Sequence, residues 1–422
     1  MQETERTSCL SDKSRKRYSL FLVWACFLLF VTMMASKNVY TAELVTLVNV
    51  FEKSKAEVSL AMTYYFVIYA IMQLVLSVLM PKINLRIYIT ITAGLSSILT
   101  ILISIGNLDL IYVLCAVNGG LQAGIYAGCM SVISKYLLKN LLPFANTVMS
   151  VGTPLSSMIS YGAAALFVGM GRWELPFIIL GGFFLVAVVI FFIAVTLMKR
   201  FPPEVVEDHG HIVVAHEEKP YVTLKTGKDK GLYMGIILMV VLVSNCMHYS
   251  IMNWLPSMLN KIFGMPESAS ILISIIAPLI MFLFSFVAIY TCEKQKDIIK
   301  VFGVFMIIAV IAYLPLVFVF DVNIILTLAL IIIFIGLASA GRVVLAGVIS
   351  FKMRSQINTG SYMASTNAMA SIAAGVMPTV TGSVIDTYGY QAFFYVVLGV
   401  VALCSLLSVI LFFFIEKKRR SL

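Results

Sequence analysis

Long runs of apolar residues recur along the whole chain, and each can cross a membrane. Stretches of about twenty residues with few or no charges span ~30 Å of hydrocarbon as helices. Inside hydrocarbon the backbone must satisfy its own polar groups, so a chain of such runs folds as a helix bundle. Twelve spans can be read, over 19–48, 58–80, 87–105, 109–134, 141–169, 175–198, 232–256, 268–291, 298–319, 322–351, 356–385 and 390–415. Of the 422 residues 61% are hydrophobic, against about 45–50% in soluble domains. The expected fold class is an all-α membrane protein of twelve transmembrane helices.

Charge placement supplies an orientation. Of the 30 lysines and arginines, the reading puts 24 on the side that holds both termini, 4 on the other side and 2, Lys37 and Arg342, inside spans. Such a bias marks the cytoplasmic side, so both termini are expected in the cytoplasm of a multi-pass cell-membrane protein. The net charge of +10 then reads as topology and contact with anionic lipid, and no nucleic-acid partner is expected. Cys26, Cys115, Cys129, Cys246 and Cys404 lie in spans without ligand spacing and read as small apolar fillers. The first apolar run is too long for a cleavable signal and is expected to remain as the first helix.

The longest polar stretch, Lys199 to Gly231, divides the chain. The expected organisation is a six-helix bundle over 1–198, a cytoplasmic linker over 199–231 and a second bundle over 232–422. His209, His211 and His216 stand among acids in that linker and read as solvated, so no metal site is expected. The halves repeat each other. GGLQAGIYAGCMSVIS, from Gly119, aligns with IGLASAGRVVLAGVIS, from Ile335, at an offset of 216, and GRWELPFIILG aligns with GYQAFFYVVLG at an offset of 218. Six spans repeated in parallel orientation imply two pseudo-equivalent bundles with a site between them, the arrangement of major facilitator transporters.

The chain also resembles that superfamily directly. TGSVIDTYGYQAFF, with Gly382, Asp386 and Gly389, is similar to the pattern that follows its eleventh span. The organophosphate transporter family, carriers of glycerol phosphate and hexose phosphate, is the nearest resemblance, with the anion-and-sugar-acid symporters as runner-up. The family's first-span Arg-Lys-Asn is matched by Ser36-Lys37-Asn38, and its seventh-span RYxxxxWxP by HYSIMNWLP, His248 to Pro256. The departures are specific. Both family arginines that hold phosphate are replaced, by Ser36 and His248, and the cytoplasmic loop motif is reduced to SVLMPK, without its aspartate. Phosphate recognition in the family's form does not carry over.

Candidate functional residues follow from polarity within spans. In span four Gly120, Gly124 and Gly128 form a stripe for close helix packing. Asn118, Gln122 and Tyr126 recur two residues away, about 200° around the helix, and are expected to face a central cavity. The repeat sets Arg342 opposite Tyr126. Ten residues back from Lys352, at ~1.5 Å each, Arg342 is about 15 Å deep, where a charge costs about 2.5–3.5 kcal/mol on an insertion scale. A guanidinium there suits bidentate capture of carboxylate or phosphate. Lys37 is the second intramembrane cation, with Tyr40 on its face; snorkelling to the outer interface is its competing reading. Glu43 reads as an interfacial acid or, if buried, a proton carrier. His248 is the only histidine within a span and could bind substrate, titrate or simply join helices. Span two carries Tyr65, Tyr69 and Gln73, and span eleven a small-residue face of Gly360, Ala364 and Ala368.

No phosphate-cradling loop, nucleophile elbow or zinc motif is present, so neither an enzyme nor a cofactor is expected, and an ion gradient is the energy source that fits. The sequence therefore points to a monomeric secondary transporter for a small organic anion (organophosphate, sugar acid or carboxylate), working by alternating access as a proton symporter. Arg342 is the expected anchor, supported by Lys37 and His248. Gln122, Tyr126, Tyr40, Asn118 and Tyr69 complete the expected site, and His248 and Glu43 are the proton-coupling candidates. A drug or metabolite exporter and a transport-dead membrane sensor are the alternatives.

Overall fold

The computed structural model describes residues 2–137, 141–198, 226–295, 297–349 and 359–420, and all their regular structure is helical. The first half holds α1 (Gln2–Ala42), α2 (Leu44–Phe51), α3 (Lys55–Leu79), α4 (Leu85–Ile103), α5 (Leu108–Gln122), α6 (Ile125–Tyr136), α7 (Leu142–Gly169) and α8 (Leu175–Met198). The second holds α9 (Gly227–Phe263), α10 (Glu267–Ser274), α11 (Ile276–Lys294), α12 (Ile298–Val319), α13 (Ile324–Val343) and α14 (Thr359–Arg420). Most of the expected linker, with its three histidines, and Lys352, from which the depth of Arg342 was counted, lie outside the described residues.

Helix starts are written in short polar caps. Ser54 and Glu57 form a reciprocal capping box at the head of α3, Asn107 accepts from the Leu110 amide before α5, and Asn323 accepts from Ile325 and Leu326 before α13. Such caps satisfy amides that the first helical turn leaves open. The bodies of the helices are apolar on more than one face. In α8, Phe184, Ala187 and Phe191 are buried while Phe183, Val186 and Val189 are exposed, a pattern suited to lipid outside and helix inside.

Among the described residues eleven helical segments are long and apolar enough to cross a membrane, and the last, Tyr362–Glu416, has 55 residues. As one straight helix it would reach about 80 Å, more than twice the hydrocarbon thickness. Gly389, at φ 80° and ψ −178°, breaks it into two arms, which makes twelve crossings. That conformation is essentially closed to residues with a Cβ.

Four spans depart from the simple rods expected. The first is interrupted at Glu43, between α1 and α2, and the eighth at Ile275, between α10 and α11. The fourth is divided between Gln122 and Ile125, where Gly124 leaves helical geometry at φ −101° and ψ −4°. The tenth passes from α13 into a π-helical segment, Val344–Val348. Span four's glycines do pack closely. A Cβ on Gly119 would lie 2.1 Å from the Tyr65 carbonyl oxygen, and one on Gly128 2.7 Å from Ile89. Span four is thus pressed against α3 and α4.

The basic end of the bundle is marked by Lys82, Arg86, Lys135, Lys294 and Lys300. One apolar cluster, including Leu22, Phe30, Ile125 and Phe191, is confined to the first half. The other runs through both halves and includes Leu47, Met62, Phe66, Trp254 and Phe394. The halves are therefore joined by continuous core on the side away from the basic end.

Replacing Gly389 by alanine should destabilise the protein by about 1–3 kcal/mol, the cost of forcing a Cβ into that backbone region. Gly399→Ala, where a Cβ meets nothing within 4 Å, is the control. Thermal unfolding in detergent should show a large drop for the first and little for the second.

Candidate functional site

Polar and close backbone contacts between the halves cluster opposite the basic end. Lys55 pairs with Asp386 at 3.0 Å, and the Ala56 amide donates to the same carboxylate at 3.1 Å. Thr46 donates to Glu267 at 2.9 Å, and Asn49 donates to its other oxygen. Deeper in, Thr63 donates to the Gly375 carbonyl at 2.6 Å and lies 2.8 Å from the Thr379 hydroxyl. The glycines of α14 make this seam possible. A Cβ on Gly375 would lie 2.9 Å from Phe66, and one on Gly382 would lie 3.1 Å from the Lys55 carbonyl carbon. Of the small-residue face expected on span eleven, Ala368 is fully buried and Ala364 lines the cavity, while the close approaches to the other half are made at Gly375 and Gly382.

Below the seam the halves part around a cavity of about 1230 Å³. Its wall includes Leu76, Val78, Met80 and Ser131 near the basic end of the first half, and Val343 and Met363 of the second. That volume exceeds the ~300–1000 Å³ of ordinary ligand pockets, so a small solute would share it with water.

Two cations stand on this wall, one from each half. Arg342 is half-buried, and its Nη1 donates to Asn245 Oδ1 at 3.0 Å. The Tyr249 hydroxyl is beside the same guanidinium, and its buried Nε has no hydrogen-bond partner. Lys37 does not snorkel outward. Its ammonium lies over the Phe66 ring at 5.1 Å and the Tyr69 ring at 5.6 Å from the centroids, contacts worth about 0.5–2 kcal/mol. Among the described residues neither cation has a carboxylate within ion-pair distance, and the cavity wall carries no aspartate, glutamate or histidine.

The other expected site residues divide. Tyr126 and Tyr69 line the cavity; Tyr126 is 41% exposed with its ring 4.8 Å from that of Phe30, and Tyr69 accepts from Gln73 at 3.3 Å. Asn118 and Gln122 do not line it. Gln122 is buried, accepts from Tyr65 at 2.6 Å and donates to Ser96 at 2.8 Å, while Asn118 accepts from Ser96 and donates to Thr100 at 3.3 Å. Both tie span four to α3 and α4. The break at Gly124 explains why a stripe read as one face serves two purposes. Tyr40 is also structural, donating to the Val58 carbonyl at 2.8 Å.

His248 is 2% exposed and is absent from the cavity wall; its Nδ1 has no hydrogen-bond partner among the described residues. Its neighbour Tyr249 takes the wall position, with Asn245 one turn away. These two were missed in the sequence, although their four-residue spacing marks one helical face. Glu43, read as interfacial or, if buried, as a proton carrier, is fully buried at the helix break, and among the described residues neither of its oxygens has a hydrogen-bond partner. Outside the spans, a hydrogen bond from the Arg172 guanidinium holds the Glu174 carboxyl below the usual range.

If the seam holds the closed end shut, Asp386→Asn together with Glu267→Gln should loosen it. A cysteine at Thr63, in a background without other cysteines, should then react several-fold faster with a maleimide added from that end. An unchanged labelling rate would show that the apolar core alone closes the seam.

A sequence profile of the Major Facilitator Superfamily matches residues 25–346. Among solved structures, a bacterial homologue of the human lysosomal transporter Spinster, inward-facing and unoccupied, superposes with a TM-score of 0.70 at 15% identity, covering 96% of this chain and 98% of that one. Its inward-facing, occupied form gives 0.71 at 16% identity, with coverage of 96% and 98%. A point mutant of the nucleoside transporter NupG gives 0.67 at 14% identity, covering 94% of this chain and 100% of that one. Identities this low establish a shared fold. Comparison with curated proteins gives no match.

Proposed function

The chain belongs to the Major Facilitator Superfamily, and from that premise we propose that it moves a small organic anion across the cell membrane by alternating access. It is a multi-pass membrane transporter of the secondary type and not an enzyme. The observation that carries the anion reading is the charge of the cavity: Lys37 from one half, Arg342 from the other, and no acid on the wall among the described residues. A cation without an acid partner at membrane depth gains from an incoming anion. A cationic drug would meet repulsion from both halves, which weighs against the drug-exporter alternative.

The positive-inside bias assigns the basic end to the cytoplasm, so this state is open inward, as the Spinster homologue is described to be. Arg342 is the anchor, positioned by Asn245 and Tyr249, with Lys37 facing it from the other bundle. A cation on each half gives the ligand a differential hold on the states in which the halves approach, as a population shift requires. Organophosphates, sugar acids and carboxylates all fit a guanidinium, although the phosphate-binding arginine pair of the organophosphate carriers is missing.

For coupling, the reading is proton symport with Glu43 as carrier. A buried carboxyl without hydrogen bonds is costly to ionise, and a proton is the partner that removes the cost. It sits one turn from Thr46, whose bond to Glu267 helps close the seam. Release and uptake of that proton are thus tied to opening of the closed end. His248, off the cavity wall, is the weaker candidate.

In proteoliposomes, Arg342→Gln should abolish both uptake and counterflow of any transported anion. Wild-type protein should gain thermal stability with that anion, about 2.7 kcal/mol at a hundred times its dissociation constant, and the variant should not. Stabilisation of both proteins by organic cations would sink the anion reading. Glu43→Gln should retain counterflow yet lose accumulation driven by a pH gradient; accumulation equal to wild type would remove Glu43 from the coupling path.

A further inference from the structure

The two walls of the cavity differ in chemistry, and the difference narrows the solute. On the first-half side Phe30, Met34, Phe66, Tyr69 and Tyr126 make a largely aromatic and apolar surface, with Gln73, Ser150 and Thr153 among its polar members. Rings there are already arranged in contact: Phe30 with Tyr126 at 4.8 Å, and Tyr69 stacked with Tyr65 at 5.9 Å and 18°. The second-half side also has apolar members such as Val343 and Met363, but it adds Asn245, Ser339, Arg342, Ser365 and Asn367, whose amides, hydroxyls and guanidinium make it the more polar wall.

The cations also differ. The Lys37 ammonium is over two aromatic faces, which partly compensate its charge. Arg342 has a neutral amide and a phenol, and its Nε is buried without a partner. The stronger unmet demand for an anion is therefore on the polar wall, facing the rings.

Resting on the organic-anion reading above, we infer that the solute is amphipathic: an oxyanion head on Arg342 and a planar aromatic body stacked against Tyr126 and the rings around it. A sugar acid or sugar phosphate, polar all round, has no apolar surface to bury against Phe30, Met34 and Phe66 and so gains little from that wall. An aryl acid meets an apolar wall with an apolar body. Tyr126, with 41% of its surface exposed, is the ring most open to stacking. Lys37, lying among the rings, adds a cation face to the same aromatic body. Carboxylate and phosphate heads share the chemistry that Arg342 recognises.

Binding of 1-naphthoate, phenyl phosphate, gluconate, glycerol 3-phosphate and tryptamine to the purified full-length protein, followed by thermal shift and tryptophan fluorescence, tests this inference. Expected is tighter binding of an aryl anion than of gluconate or glycerol 3-phosphate, with the naphthoate and phenyl phosphate arms telling carboxylate from phosphate. Tyr126→Leu should weaken the aryl anion about tenfold, the size of a good stacking contact, and Tyr126→Phe should restore it. Arg342→Gln should remove binding of every anion. Tighter gluconate or glycerol 3-phosphate would overturn the aromatic inference and leave the anion reading standing. So would a Tyr126→Leu variant with unchanged aryl affinity, or no aryl binding at millimolar concentration. Binding of tryptamine in place of the anions would overturn both.

Discussion

The seam between α3 and α14 is the constraint on which the rest of this structure depends. Two helices from different halves approach closely enough for Thr63 to reach the Gly375 carbonyl. Glycine at 375 and 382, seven residues apart, is what lets them meet. With that end sealed by backbone-level contact and by the Lys55–Asp386 and Glu267 interactions, the helices on either side of the seam part only toward the basic end. The cavity is the geometric consequence. Such a seam suits a two-state device, because close packing and short polar contacts are either made or lost rather than stretched.

The cavity then resolves a problem set by the sequence alone. A guanidinium in an apolar run needs a partner, water or a ligand, and span ten offers none of these along its own helix. Asn245 and Tyr249 supply orientation from α9, and water-filled space supplies hydration, but no described carboxylate neutralises the charge. Arg342 is thereby held in a defined direction while its charge stays available. Full pairing with an acid would have made it scaffolding. Lys37 is treated differently, bedded against aromatic faces, so the first half is chemically less demanding of an anion than the second.

Much of this was legible in the residues. Apolar run length gave the all-helical membrane fold and its crossings, and two cations inside spans pointed to the wall that holds them both. Other features depend on local breaks and distant neighbours that periodicity does not register. Asn118 and Gln122 look like a cavity stripe because a straight helix was assumed; Ser96, Thr100 and Tyr65, on other helices, take their hydrogen-bonding capacity. Tyr126 escapes that fate because α6 begins afresh after Gly124. Glu43 read as interfacial because its distance along the chain places it near a surface. Its burial follows from the folding of the α1–α2 corner into a closed end that span counting cannot see. Asn245 and Tyr249 were overlooked beside His248, whose rarity drew attention while helical phase put its neighbour on the wall.

Two of the four breaks lie beside cavity residues. Span four departs from α-helical geometry at Gly124, two residues before Tyr126 reaches the cavity, and span ten enters its π segment at Val344, two residues after Arg342. Each break changes helical phase beside a residue of the site, a common use of π segments. In hydrocarbon, a break leaves carbonyls to be satisfied by neighbours. For span ten the Tyr362 hydroxyl donates to the Leu345 carbonyl inside the π segment, and Tyr362 belongs to the helix that carries Gly375 and Gly382. The segment that aims Arg342 is therefore bonded to the same helix that forms the seam. Tyr362 thus connects the helix that forms the seam to the span that carries Arg342, the anchor we propose for the solute.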